Sequence, residues 1–285
     1  MALACNPQLA RAKDPDRRRG WLPLHMAVRC LRRNAGRIVR ALLKAYPEGA
    51  GVSDYDGNYP IHSLANYKAG SQCGDMCRAL LEAYPAALRL KERRKDCTPL
   101  SLATNSSCLH GRHEECILML LKACPEAAAV SDGGNELPFR SALYTWQDNP
   151  TVLIALLEAH PEAALGSGPH GPALCHVAST GVGGVRLLSL LLELYPDKAK
   201  YVVEHSGMLA LHLACKSKSP CAGAMVPLLL SAHPGALHHK DTDGSTPLMI
   251  AEREKTLPED VVALLRKAQE GMSRRSGACA QGWGG

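Results

Sequence analysis

Residues 22–47, LPLHMAVRCLRRNAGRIVRALLKAYP, decide the fold, because they read as two short helices followed by a stop. Pro23 suits the first position of a helix, where its missing N–H has no intrahelical partner to lose. Leu24, Ala27, Val28 and Leu31 then fall at i, i+3, i+4 and i+7, one face of a helix. A second apolar face follows in Ile38, Val39, Leu42 and Leu43, and Pro47 prevents the helix from continuing.

The same pattern recurs along the chain. LPLHMA at Leu22 is matched by YPIHSL at Tyr59, TPLSLA at Thr98, LPFRSA at Leu137, ALCHVA at Ala173, LALHLA at Leu209 and TPLMIA at Thr246. The spacings are 37, 39, 39, 36, 36 and 37 residues. Interleaved with them run LLKAYP at Leu42, LLEAYP at Leu80, LLKACP at Leu120, LLEAHP at Leu156, LLELYP at Leu191 and LLSAHP at Leu229, with a degenerate copy at Leu264–Gln269. Two motifs in lockstep define seven copies of one supersecondary unit. The first motif ends in Ala in every copy but one, where Leu64 stands, so neighbouring helices can approach closely. Two residues before each first motif stand Gly20, Gly57, Asp96, Asn135, Gly171, Gly207 and Gly244. Gly, Asn and Asp tolerate a left-handed backbone best, which predicts a tight hairpin turn between units.

These residues resemble the ankyrin repeat: a Gly turn, a T-P-L-H-x-A-like opening of the first helix and a leucine-rich second helix. The resemblance spans about 250 of the 285 residues and implies an all-α, helix-turn-helix solenoid with short hairpin turns between repeats. It also implies hairpin fingers projecting beside a concave protein-binding surface. The chain departs from the family in two ways. Its repeats exceed the usual 33 residues or so, mostly between the two helices. The family's Thr–His bond has no counterpart: His25, His62, His176 and His212 follow Leu, Tyr, Ala and Leu, while the copies with Thr lack His. Softer individual repeats are therefore expected.

The expected organisation is an N-terminal extension or partial cap over 1–16, seven repeats over 17–269 and a disordered tail over 270–285. A terminal repeat exposes what internal repeats bury, so the pair Leu24/Leu42 needs cover from the extension or another chain. Pro258, Glu259 and Asp260 open a polar last helix that reads as a cap.

Composition excludes several classes. One Phe and 4% aromatic residues do not build a conventional large core. Twelve scattered cysteines do not form a dense disulfide framework. No apolar run approaches the roughly 20 residues of a membrane span, and the N-terminus lacks a signal-peptide core. A reducing compartment, cytoplasmic or nuclear, is expected. Residues 1–50 carry eleven Lys/Arg against three Asp/Glu, a basic bias at one end. No glycine-flanked serine nucleophile and no H-E-x-x-H is present, so catalysis is not expected. Gly181–Gly184 precedes a helix, but it follows no strand and lacks a P-loop Lys-Ser/Thr.

What does not repeat is where specificity can reside. The hairpin tips carry Arg17–Arg19, Asp54–Asp56, Arg93–Lys95, Asp132–Gly134, Gly168–His170, Glu204–Ser206 and Asp241–Asp243. The candidate partner-binding residues are Tyr55, Asn58, Arg93, Arg94, Lys95, Asn135 and His170 at or beside the tips. Arg29, Asn66 and Lys216 on the first helices join them. The expected partner is another protein, and the basic tips favour an acidic or phosphorylated one. No cofactor, membrane or small-molecule substrate is expected. The alternative is nucleic acid or a phosphorylated target on the basic N-terminal repeats, though stacking aromatics are missing there. A weaker reading places zinc in the Cys108–Cys116 insertion, whose Cys108, His110, His113 and Cys116 could supply a tetrahedral set.

Overall fold

The computed structural model describes residues 7–14, 20–30, 34–66, 73–105, 114–147, 149–166 and 171–280, with side chains as far as 271. The described residues contain fourteen α-helices and no strand beyond one isolated bridge, Val203 to Met208. The first four repeats contribute the pairs α1 Pro23–Val28 with α2 Ala35–Ala45, α3 Pro60–Asn66 with α4 Cys73–Ala83, α5 Pro99–Asn105 with α6 Glu114–Ala123, and α7 Pro138–Thr145 with α8 Pro150–Ala159. The last three contribute α9 Ala173–Thr180 with α10 Gly184–Leu194, α11 Ala210–Lys216 with α12 Ala222–Ala232, and α13 Pro247–Glu254 with α14 Glu259–Ala280. All seven copies of the first motif therefore open a helix.

The chain divides into two compact units, 1–163 and 164–285. Within the first, α1, α3, α5 and α7 pack in succession, and α2, α4, α6 and α8 form a parallel succession behind them. Within the second, α9, α11 and α13 stack, as do α10, α12 and α14. The motif-ending Ala27, Ala103, Ala142, Ala178, Ala214 and Ala251 are all buried, as is Leu64, so the small side chain lies where first helices meet. The single Phe, Phe139, is among the largest fully buried side chains.

Six of the seven second helices end two residues before a proline, with one non-helical residue between. Tyr46, Tyr84 and Cys124 lie near φ −150° and ψ 80° (−148/81, −151/78 and −151/76), outside the helical region. The following proline excludes its predecessor from the helical region by steric contact. Pro47, Pro85, Pro125, Pro161, Pro196 and Pro234 then each open a 3-10 turn, which the sequence pattern read only as a stop.

All seven expected turn positions lie at positive φ: Gly20 64°, Gly57 81°, Asp96 53°, Asn135 61°, Gly171 79°, Gly207 65° and Gly244 76°. At Gly57 a second demand is added. A Cβ there would stand 2.9 Å from Arg93 Cγ and 3.2 Å from Arg93 N, so the next finger closes over it.

The motif histidines bond elsewhere in place of the missing Thr–His pair. Leu22 N–H and Leu209 N–H donate to Nδ1 of His25 and His212, at 3.2 Å each. The opposite nitrogen, Nε2–H, donates to Asn58 O from His25 (3.0 Å), to Leu90 O from His62 (2.9 Å) and to His239 O from His212 (3.1 Å). A neutral imidazole thus ties a helix opening to the connector of the next repeat. Where Thr stands without His, Thr98 Oγ1 pairs with Ser101 Oγ at 3.0 Å, and Thr246 Oγ1 accepts from Met249 N–H at 3.4 Å as an N-cap.

At the N-terminal end the 3-10 turn Pro7–Ala10 packs against α1 and α2 with Ala10 buried. Asp14 N–H donates to Trp21 O at 2.9 Å, and the Arg11 guanidinium lies 4.9 Å from the centre of the Tyr46 ring. Leu24 and Leu42 are buried. At the other end Arg266 bonds Glu252 at 2.8 Å and Glu259 at 3.0 Å, joining α13 to α14. The tail boundary expected at 270 falls inside α14, which continues to Ala280.

Candidate functional site

Four of the fingers are built by backbone pairing around an acid whose side chain turns into the turn. Asp54 N–H donates to Asn58 O (2.9 Å), Asp132 N–H to Glu136 O (3.0 Å) and Asp241 N–H to Ser245 O (3.0 Å), closing short turns. The acid's own side chain then collects the N–H groups inside the turn. Asp132 Oδ1 accepts from Gly134 and Glu136 N–H, each at 2.9 Å. Asp241 Oδ1 accepts from Asp243 N–H at 3.0 Å and Ser245 N–H at 2.8 Å. Asp54 Oδ1 accepts from Asn58 N–H at 2.8 Å, and its Oδ2 from Trp21 Nε1–H at 3.1 Å.

The third finger is one residue longer, closing from Glu92 N–H to Cys97 O at 3.0 Å. Its acid is longer by one methylene to match. Glu92 Oε2 accepts from Arg94 N–H at 2.7 Å, and Oε1 accepts from Lys95 N–H at 2.7 Å and Cys97 N–H at 3.4 Å. Glu92 is only 4% exposed, and these charge-assisted bonds compensate the burial of its carboxylate. With its backbone held from beneath, this turn presents Arg93, Arg94 and Lys95, all exposed.

Neighbouring fingers are also joined. Arg93 N–H donates to Asp56 O at 2.8 Å and Gly133 N–H to Lys95 O at 2.7 Å. Between the third and fourth fingers lies a cleft of about 370 Å3, lined by Arg93, Arg94, Lys95, Asp96, Asn105, Asp132, Gly133 and Gly134. Asp96 is drawn toward Lys91, whose Nζ lies 2.5 Å from its Oδ2. Arg93, Arg94 and Lys95 take part in none of the ion pairs among the described residues. Three successive cations that take part in no ion pair among the described residues thus line one cleft.

Of the residues singled out by sequence, the structure brings together Arg93, Arg94 and Lys95. Tyr55 is 61% exposed, its ring above Gly20 and 5.5 Å from Lys13 Nζ. The Asn58 side chain donates to both oxygens of Asp54 at 3.2 Å, so it is engaged within its own finger. Asn135 is exposed at its left-handed turn. The Arg29 guanidinium lies 4.8 Å from the centre of a Trp21 ring, whereas Asn66 and Lys216 are exposed at the ends of α3 and α11. His170 lies outside the described residues, as do the tips Arg17–Arg19 and Gly168–His170.

Two corrections follow. Asp54 and Asp241, assigned to tips free for recognition, are 5% and 7% exposed and serve as internal anchors. Asn105 was passed over, although it ends α5 at the register that Arg29, Asn66 and Lys216 occupy in their repeats. That register was the available signal. Glu92 had none, because its role depends on the length of the turn it fills.

For the zinc reading, Cys108, His110 and His113 lie outside the described residues. Cys116 is fully buried; hydrogen bonding with Cys73 and Cys77, together with burial, pushes its thiol well above the ordinary range. Among the described residues no group of three or more His, Cys, Asp or Glu is placed to hold a metal ion, and no helix is long and apolar enough to cross a membrane. Burial alone raises the Cys175 and Cys215 thiols to about 12 each, consistent with cysteines acting as small core residues.

No protein-family profile matches the chain, and no curated protein matches it. Among solved structures it is similar to the crystal structure of the human ASB11 ankyrin repeat domain. That likeness has a TM-score of 0.53 at 16% identity and covers 86% of this chain and 98% of that one. With seven left-handed turns, paired helices at a 36–39-residue period and this structural likeness, the chain has the ankyrin-repeat fold.

Proposed function

We propose that the chain is a non-catalytic protein-interaction module of the cytoplasm or nucleus that holds a partner protein through its fingers and the exposed ends of its first helices. The observation that carries this reading is the third finger. Glu92 is spent on holding a turn whose three side chains contribute nothing to the helical core. The exposed Tyr55 on the preceding finger and Asn66 and Lys216 at helix ends offer further contacts of the same kind.

The test is charge reversal at Arg93, Arg94 and Lys95 together. These side chains are exposed, so helicity and the melting temperature stay as in the native chain. Capture of partner proteins from lysate, compared by quantitative mass spectrometry, falls. Unchanged capture by a folded variant refutes the assignment to this finger.

A further inference from the structure

We infer that the cleft between the third and fourth fingers is a seat for an acidic, Asp/Glu-bearing peptide segment of the partner, an inference that rests on the protein-binding reading above. The lining decides the chemistry. Arg93, Arg94 and Lys95 supply the cations, Asn105 an amide from the end of α5, and Asp132 with Asp96 two carboxylates. Asp96 is already tied to Lys91, and Asp132 Oδ1 to two backbone N–H groups. The carboxylates therefore moderate the cations without cancelling them.

A lining with both signs of charge discriminates among anions. A peptide brings carboxylates for the arginine forks and N–H groups for Asp132, so both classes of lining group find partners. A nucleic-acid backbone brings phosphates at every step and meets Asp96 and Asp132 as like charges. The cleft also offers no aromatic ring on which a base could stack. A phosphorylated side chain carries close to two negative charges, so the cations attract it and the two lining carboxylates repel it more strongly than a single carboxylate, and the titration below separates the two anions. A volume of about 370 Å3 suits a few side chains of an extended segment. The link from Gly133 N–H to Lys95 O fixes the spacing of the two walls, so the seat is formed before the peptide arrives.

The experiment is selection of displayed random 12-residue peptides on the full-length chain and, in parallel, on the R93E/R94E/K95E variant. Peptides enriched on the native chain are expected to be rich in Asp and Glu, and at least 10-fold weaker on the variant. Synthetic copies in which one Asp or Glu is replaced by phosphoserine, and a single-stranded oligonucleotide, are titrated beside them. Tighter binding of the phosphorylated copy assigns the cleft to a phosphate and overturns the proposal, as does tighter binding of the oligonucleotide. Selection of neutral peptides that bind native chain and variant equally also overturns it, while the broader protein-binding reading stands. That reading fails separately if photo-crosslinkers at positions 55, 66, 94 and 216 all capture no protein from lysate.

Discussion

Replacing Glu92 with alanine removes the one side chain that organises the third finger from within. It accepts from Arg94 N–H and Lys95 N–H at 2.7 Å each and from Cys97 N–H at 3.4 Å. A hydrogen bond to a charged group contributes about 1.5–3 kcal/mol net. Water can replace the carboxylate at Arg94 and Lys95, which stand at the exposed tip, so the total loss should be about 2 kcal/mol. For a unit of 163 residues that corresponds to a fall in melting temperature of roughly 4–8 °C. Locally, about 2 kcal/mol lowers the hydrogen-exchange protection of the Arg94 and Lys95 amides roughly 30-fold. Glu92→Asp is the sharper variant, because a shorter acid cannot span a turn one residue longer than those of Asp132 and Asp241. It should expose the same amides nearly as much as alanine does. Exchange unchanged in Glu92→Asp would refute the length match, and exchange unchanged in Glu92→Ala would refute the anchor itself.

The buried histidines make stability depend on pH. Burial lowers His62 from an ordinary 6.5 to about 4, and lowers His25 and His212 as well. The unfolded chain binds more protons than the folded one between those values, so the His62 contribution is full above 6.5 and is lost as pH falls toward 4. For His62 this amounts to roughly 3 kcal/mol; melting followed by circular dichroism from pH 7 to pH 4 should show the decline, and His62→Gln should make it shallower, leaving the share of His25 and His212. Gly57→Ala places a side chain at φ 81° and against Arg93; it should cost about 1–2 kcal/mol from the backbone alone, read as a lower melting temperature. Phe139→Ala empties a fully buried site and should destabilise the chain by about 3–5 kcal/mol in denaturant unfolding.

The features legible in the sequence were those that repeat. Leu42 and Leu43 with Pro47 marked a helix and its end, and the seven turn residues announced a left-handed backbone, because each meets a local steric rule. Contacts that depend on neighbours were not legible. Asp54 looked like an acidic tip, but only the folded turn shows its carboxylate directed inward to Asn58 N–H and Trp21 Nε1–H. Asn105 looked like any helix-end amide until the adjacent finger placed Gly133 and Gly134 across from it. The histidines were read correctly as scaffold. Their bonding was not, since the acceptors Asn58 O, Leu90 O and His239 O lie 27 to 33 residues away.

Site-specific photo-crosslinking in cells tests the central claim most directly. One crosslinker replaces Arg94 on the third finger, and another replaces Lys122, exposed on the second helix α6 of the same unit. The account predicts a discrete protein adduct at position 94 and none at 122. Adducts at 122 with none at 94 would place the partner on the opposite set of helices and contradict it.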